Sequence, residues 1–150
     1  MSKAETAVNY FDSYNCAQST LAAYAADFDL GKETALQVGV GFGGGIGRLQ
    51  DVCGAVSAAV MVLGLASGFK EEDARPKINE VYETVRNFIA DFSQEKGTIK
   101  CRELLMDCDL SSEEGQKCFK EQGLKEKHCK PAVRLCCELL DKYLAAKSQP

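Results

Sequence analysis

The sequence predicts an all-α fold: a compact single-domain bundle of six to eight helices with a glycine-rich loop, spanning residues 1–150. Three observations predict it. Apolar residues recur at three- and four-residue spacing in one segment after another, as on a helix with one buried face. No segment sustains the two-residue alternation of a half-buried strand. Proline is confined to Pro76, Pro131 and Pro150, which leaves long stretches free to wind into helix.

The elements follow in order. Ser2 with Glu5 three residues on fits a capping box, and Ala7, Val8 and Phe11 then recur at helical spacing. Asp12-Ser13-Tyr14-Asn15 is rich in capping residue types and breaks the helix just before Cys16. A second helix carries Leu21, Tyr24, Ala25 and Phe28 inward and ends at Gly31. A short third runs from Lys32 to about Val40. Gly41-Phe42-Gly43-Gly44-Gly45-Ile46-Gly47 holds five glycines in seven residues, a composition that favours turns and close backbone approach over helix. Asp51 is placed to cap the next helix, which is small and apolar nearly all round (Ala55, Ala58, Ala59, Val60, Val62, Leu63) and so belongs in the middle of the domain.

Gly68 ends that helix. Lys70 to Lys96 reads as one long amphipathic helix with a stripe of Ile78, Val81, Val85, Phe88, Ile89 and Phe92, stopped by Gly97. Thr98 is placed to cap a short helix holding Cys101, Leu104 and Leu105. Ser111, Ser112 and Glu114 open another that runs through Phe119 and ends at Gly123. The last helix begins near Pro131, a good first-turn residue, and carries Val133, Leu135, Leu139, Leu140 and Tyr143.

Composition narrows the function. Hydrophobic residues make up 45% and charged residues 27%, and the net charge is −4. That charge favours neither nucleic acid nor an anionic membrane as partner. The longest apolar run, Val52 to Ala66, falls short of the roughly 20 residues a membrane span needs, so no membrane insertion is expected. Eight cysteines in 150 residues are the outlier. Met1 to Thr6 carries no apolar leader and the length needs no disulfide staples, so a cytoplasmic location is expected. There, many cysteines point to metal, cluster or thiol chemistry, or to small core residues.

Cys16, Cys53, Cys101 and Cys129 share a placement, each at or just ahead of a predicted helix start. Free N–H groups there favour a thiolate or metal-bound sulfur. At about 0.3–1 kcal/mol, the helix end moves a thiol by less than one pKa unit. A second influence is needed: a cation such as Arg48, Lys100 or Arg102, another sulfur, or a metal. Cys108, Cys118, Cys136 and Cys137 read as packing residues; the last two are adjacent on one helix and cannot both face one site.

Tyr14-Asn15-Cys16-Ala17-Gln18, Gly43-Gly44-Gly45-Ile46-Gly47-Arg48, Asp51-Val52-Cys53-Gly54-Ala55-Val56-Ser57-Ala58, Cys101-Arg102-Glu103-Leu104-Leu105 and Cys129 ahead of the last helix stand out as blocks. Together they resemble the C_GCAxxG_C_C family of redox-active proteins. Ala58 stands where the motif's second glycine falls, and is small enough to keep close packing. The resemblance implies a redox role for the four cysteines. Related domains occur in split-Soret-type cytochromes, where an iron–sulfur centre accompanies haem. With no Cys-x-x-Cys-His and only His128, covalent haem is not expected here.

Other signals are weaker. Gly39-x-Gly41-x-x-Gly44 matches a dinucleotide fingerprint by letters, but no strand precedes it. His128 lies in a charged loop and reads as a solvated residue. Zinc sites bring ligands in close pairs, whereas these cysteines are tens of residues apart.

Three functions stay open: electron transfer through an iron–sulfur cluster held by Cys16, Cys53, Cys101 and Cys129; a thiol–disulfide protein using two of them without a metal; and a non-redox helical binding protein or a structural zinc site. Gly43, Gly44, Gly45 and Gly47 are expected beside the cysteines, lending backbone N–H groups to sulfur or to a bound group. The partner expected is an unidentified redox protein, with a homodimer as a further assembly.

Overall fold

Three helix starts in this chain, after Ser2, Asn15 and Ser112, are set by side chains that satisfy the free N–H groups of the first turn. The computed structural model describes residues 1–147; the assignment of 148–150 to the domain lies outside the described residues. Helix α1 (Lys3–Tyr10) opens on the Ser2–Glu5 capping box. Helix α2 (Cys16–Tyr24) opens on a second, in which Asn15 Oδ1 accepts from Gln18 N–H at 2.9 Å and Gln18 Oε1 accepts from Asn15 N–H at 3.0 Å. Helices α3 (Lys32–Gly39), α4 (Gly54–Ser67) and α5 (Arg75–Lys96) follow. A short α6 (Cys101–Leu104), α7 (Glu113–Glu121) and α8 (Lys130–Lys147) complete the chain, with a π-helical turn over Lys125–Cys129 leading into α8. Among the described residues there is no strand, only an isolated antiparallel bridge between Val52 and Lys100.

The central helix is α4, as its small apolar composition requires. Ala55, Val56, Ala58, Ala59 and Val62 are sealed from solvent, and α2, α5 and α8 pack around them. Alanine at position 58 thus fills a close helix contact without a turn that would need glycine. Helix α1 lies across α2 and α8. The core is Leu21, Tyr24, Phe88, Phe92, Val133 and Leu140 with these residues. Tyr24 keeps its buried hydroxyl satisfied by facing Asp141 Oδ1 at 2.7 Å and Cys137 O at 2.9 Å. A smaller apolar cluster, Cys101, Leu105, Leu110 and Leu124, sits under α6 and α7. No helix among the described residues is long and apolar enough to cross a membrane.

Four boundaries differ from those the sequence suggests. Helix α2 ends at Tyr24 and tightens into a 3-10 turn over Ala25–Phe28, closed by left-handed Asp29; Gly31 instead precedes α3 as its N-cap. Asp51 does not cap α4; Cys53 takes that position, because Gln50 to Cys53 pair with Ile99 to Arg102 and Asp51 forms an ion pair with Lys100. Helix α5 begins at Arg75, since Asp73 turns back to accept the Lys70 N–H at 2.7 Å and Pro76 occupies the first turn. Thr98 does not cap α6 either: its hydroxyl accepts the Lys100 N–H, and Lys100 is the N-cap.

Candidate functional site

The chain crosses itself at the start of α4, and the crossing builds the site. Cys53 N–H donates to Ile99 O at 2.7 Å and Cys101 N–H donates to Asp51 O at 2.7 Å, on either side of the Val52–Lys100 bridge. These bonds hold two cysteines together that lie far apart in sequence. Buried Gln50 reinforces the crossing: its Nε2 donates to Cys108 O at 2.7 Å and its Oε1 accepts from Leu110 N–H at 2.8 Å.

Helix α2 brings Cys16 to the same place. Gly54 is what allows it so near: a Cβ at residue 54 would stand 2.6 Å from Cys16 Sγ and 2.7 Å from Phe42 O. The π-helical turn before α8 supplies Cys129. The result is a cavity of about 520 Å³ lined by Cys16, Cys53, Cys101 and Cys129 together with Gly43, Gly44 and Gly47. Its apolar wall includes Phe11, Leu104, Leu105, Leu110 and Phe119; Arg48, Lys120, Lys125 and His128 bring basic side chains to it.

The glycine loop wraps the cavity in a left-handed run. Five consecutive residues have positive φ: Gly44 (64°), Gly45 (66°), Ile46 (67°), Gly47 (56°) and Arg48 (66°). Long-reach hydrogen bonds close it, from Gly47 N to Gly41 O and from Gln50 N to Gly44 O. The turn aims the Gly44 N–H at the Cys16 sulfur, which also faces the N–H groups of Ala17 and Gly54. Gly45, expected with the others, does not line the cavity; it is buried against the backbone of Gln50 and Asp51.

Burial raises all four thiols. Cys16 is raised by burial, against the lowering pull of the N–H groups around it. Cys53 is raised by burial and by Cys16, while the Ala55 and Val56 N–H groups of the α4 start oppose. Cys101 is pushed up to about 12 by burial and Cys16, with Gln50 opposing. Cys129 is pushed up to about 12 by burial, Cys16 and Cys101, with Lys125 opposing. The helix-start argument therefore applies to Cys16 and Cys53. It does not extend to Cys101, whose lowering partner is the Gln50 side chain, or to Cys129, which lies within continuous helical winding and is eased only by Lys125.

Cys136 and Cys137 are fully buried in α8, as expected of packing residues. Cys136 nonetheless lies within electrostatic reach of Cys53 and Cys16, a fifth sulfur behind the cavity that its position in an apolar helix gave no reason to single out. Gln50 and Gly54 were equally silent in the sequence: one reads as a loop residue and the other as a motif letter. His128 lines the cavity rather than standing free in a loop. Among the described residues, no three His, Cys, Asp or Glu side chains converge closely enough to hold a single metal ion as they stand. All eight cysteines are free thiols.

Fold and site together define a class: an all-α protein in which four thiols, Cys53 and Cys101 buried and Cys16 and Cys129 half-buried, converge on one cavity. The particular family is shown by its sequence model. The model described as "Putative redox-active protein (C_GCAxxG_C_C)" matches residues 14–143, nearly the whole chain, and the chain belongs to that family. No curated protein and no solved structure matches it.

Proposed function

We propose that this chain is an electron-transfer protein in which Cys16, Cys53, Cys101 and Cys129 hold an iron–sulfur cluster. The observation that carries this reading is their convergence: four thiols from four separate elements line one cavity of about 520 Å³. Four thiolates are the usual ligand set of such clusters. A single zinc ion would need its sulfurs drawn to within about 2.3 Å of one point. A cluster spreads its ligands over several iron atoms, which suits thiols that surround a space. When bound, the cluster would supply a one-electron couple.

The surrounding residues suit that role. The thiols must shed protons to bind iron, and Lys125 with the N–H groups at Cys16 and Cys53 favours the charged form. N–H groups facing sulfur also tune cluster potential. A metal-free dithiol reading is less well supported. Burial holds Cys101 and Cys129 well above the usual thiol range, which leaves little thiolate at pH 7 for disulfide exchange.

The test is purification without oxygen, followed by iron and sulfide analysis and a visible spectrum. Wild type is expected to bind iron and sulfide, with broad visible absorption that bleaches on reduction. Cys53→Ala should lose both, and Cys137→Ala should keep them at some cost in stability. Wild type that binds no iron after anaerobic reconstitution, yet cycles by two thiols under mild reductant, would overturn the cluster reading in favour of the dithiol.

A further inference from the structure

Two cysteines outside the cavity form an arrangement of their own. After α6 the chain reverses through left-handed Met106 (φ 56°) and Asp107 (φ 64°), and Cys108 follows. The reversal is anchored from within by the Gln50 bond to Cys108 O. The chain then enters α7 through Ser112, whose hydroxyl caps Gly115 N–H at 2.9 Å and donates to Asp109 O at 3.1 Å. This folds the first turn of α7 directly onto the Cys108–Asp109 backbone. Cys108 Sγ donates to Gly115 O at 3.1 Å. Cys118 stands one turn along α7 from Gly115, and its thiol neighbours that of Cys108. Both residues are half-buried, like Cys16 and Cys129 and unlike Cys53 and Cys101, and so lie within reach of a small reagent.

We propose that Cys108 and Cys118 form a second, independent dithiol whose reversible disulfide pins α7 to the turn before it. The oxidant is a low-molecular-weight disulfide. One cysteine, as its thiolate, attacks a reagent sulfur, and the reagent's S–S bond breaks to release one thiolate. The other cysteine, having given up its proton, attacks the protein-bound sulfur of the mixed disulfide. The second reagent thiolate leaves. In sum two protein thiols lose two protons and two electrons, one S–S bond forms, and one reagent disulfide becomes two thiols. A low-molecular-weight thiol reverses the exchange.

The consequence lies at the cavity. Gln116, Phe119 and Lys120 project from α7 into its lining, and Gln116 Nε2 holds Leu110 O at 2.9 Å. A bond from Cys118 to the turn at Cys108 fixes this wall covalently, where the reduced pair holds it only through hydrogen bonds such as Cys108 Sγ to Gly115 O and Gln116 to Leu110. The arrangement is a redox latch on access to the cavity, whatever the four cavity cysteines hold.

The experiment treats full-length, folded wild type with oxidised glutathione and maps disulfides by mass spectrometry after tryptic digestion. The expected product joins the peptide carrying Cys108 to Cys118-Phe119-Lys120, lighter by two hydrogens than the separate pair, and reduced glutathione restores both thiols. Cys108→Ser and Cys118→Ser should each yield a glutathione adduct at the surviving cysteine in place of the link. In the metal-free protein, the crosslinked form should alkylate at Cys129 several-fold more slowly than the reduced form. Cys53→Ala should form the same link at wild-type rate, which separates this pair from the cluster reading. Separate glutathione adducts on both cysteines of wild type, or a link from either to a cavity cysteine, would overturn the independent dithiol. A link that leaves Cys129 alkylation unchanged would overturn the latch.

Discussion

Replacing Gly54 by alanine tests how the cavity is built. The new Cβ would lie 2.6 Å from Cys16 Sγ, 2.7 Å from Phe42 O and 3.2 Å from Ala17 Cβ. Two of these are far inside van der Waals contact, and one of the two is a backbone oxygen that side-chain rotation cannot relieve. Overpacking of this kind costs about 1–3 kcal/mol. Alanine recovers up to about 1 kcal/mol over glycine inside a helix, less at a first position such as this. The balance is a net loss of about 1–2 kcal/mol. For a chain of this size each kcal/mol moves Tm by about 2–4 °C, so the metal-free protein should melt about 2–8 °C lower. Gly64→Ala is the matched control. It lies in the same helix and its added Cβ would meet nothing within 4 Å. It should therefore raise Tm, by about 1–4 °C for a gain of about 0.5–1 kcal/mol. Thermal unfolding of both variants under reductant decides the matter. A Gly54→Ala protein as stable as wild type, or stabilised like Gly64→Ala, would refute the claim that close sulfur approach dictates glycine here.

Three further outcomes follow from the same geometry. The metal-free protein should lose stability in alkali: Cys101 and Cys129 are raised to about 12 in the fold, so above about pH 8.5 the unfolded chain ionises first and draws the equilibrium towards itself until the pH passes about 12. Urea unfolding under reductant between pH 7 and 11 should show a flat region and then a decline; stability that rises with pH over that range contradicts the buried-thiol assignment. Gln50→Ala leaves Leu110 N–H and Cys108 O without their partner and should cost about 2–3 kcal/mol, with faster alkylation of Cys101 in the folded protein as the second readout. Asn15→Ala removes the α2 cap and the 2.9 Å bond from Asn15 Nδ2 to Val40 O, and should lower stability by about 1–2 kcal/mol in a denaturant titration.

What local chemistry controls was legible along the chain. Helical periodicity and capping residues at Ser2, Asn15 and Ser112 located most helices, because a cap and an apolar stripe act within a few residues. The family blocks singled out four cysteines, and the apolar composition of α4 already placed that helix at the centre. How the site is made depends on contacts between distant segments. Asp51 offers a good cap by letter but is drawn away by Lys100, and that choice belongs to a pairing between residues some fifty positions apart. Gln50, Gly54 and Cys136 gain their places at the cavity from neighbours on other helices, which no local pattern encodes. The nearness of Cys108 to Cys118 arises from a left-handed reversal at Met106 and Asp107, residue types that carry no turn signal of the strength glycine gives. Periodicity and capping are short-range effects and can be read along the chain. The approach of sulfur to sulfur is a property of packing, settled where separate helices compete for the same space.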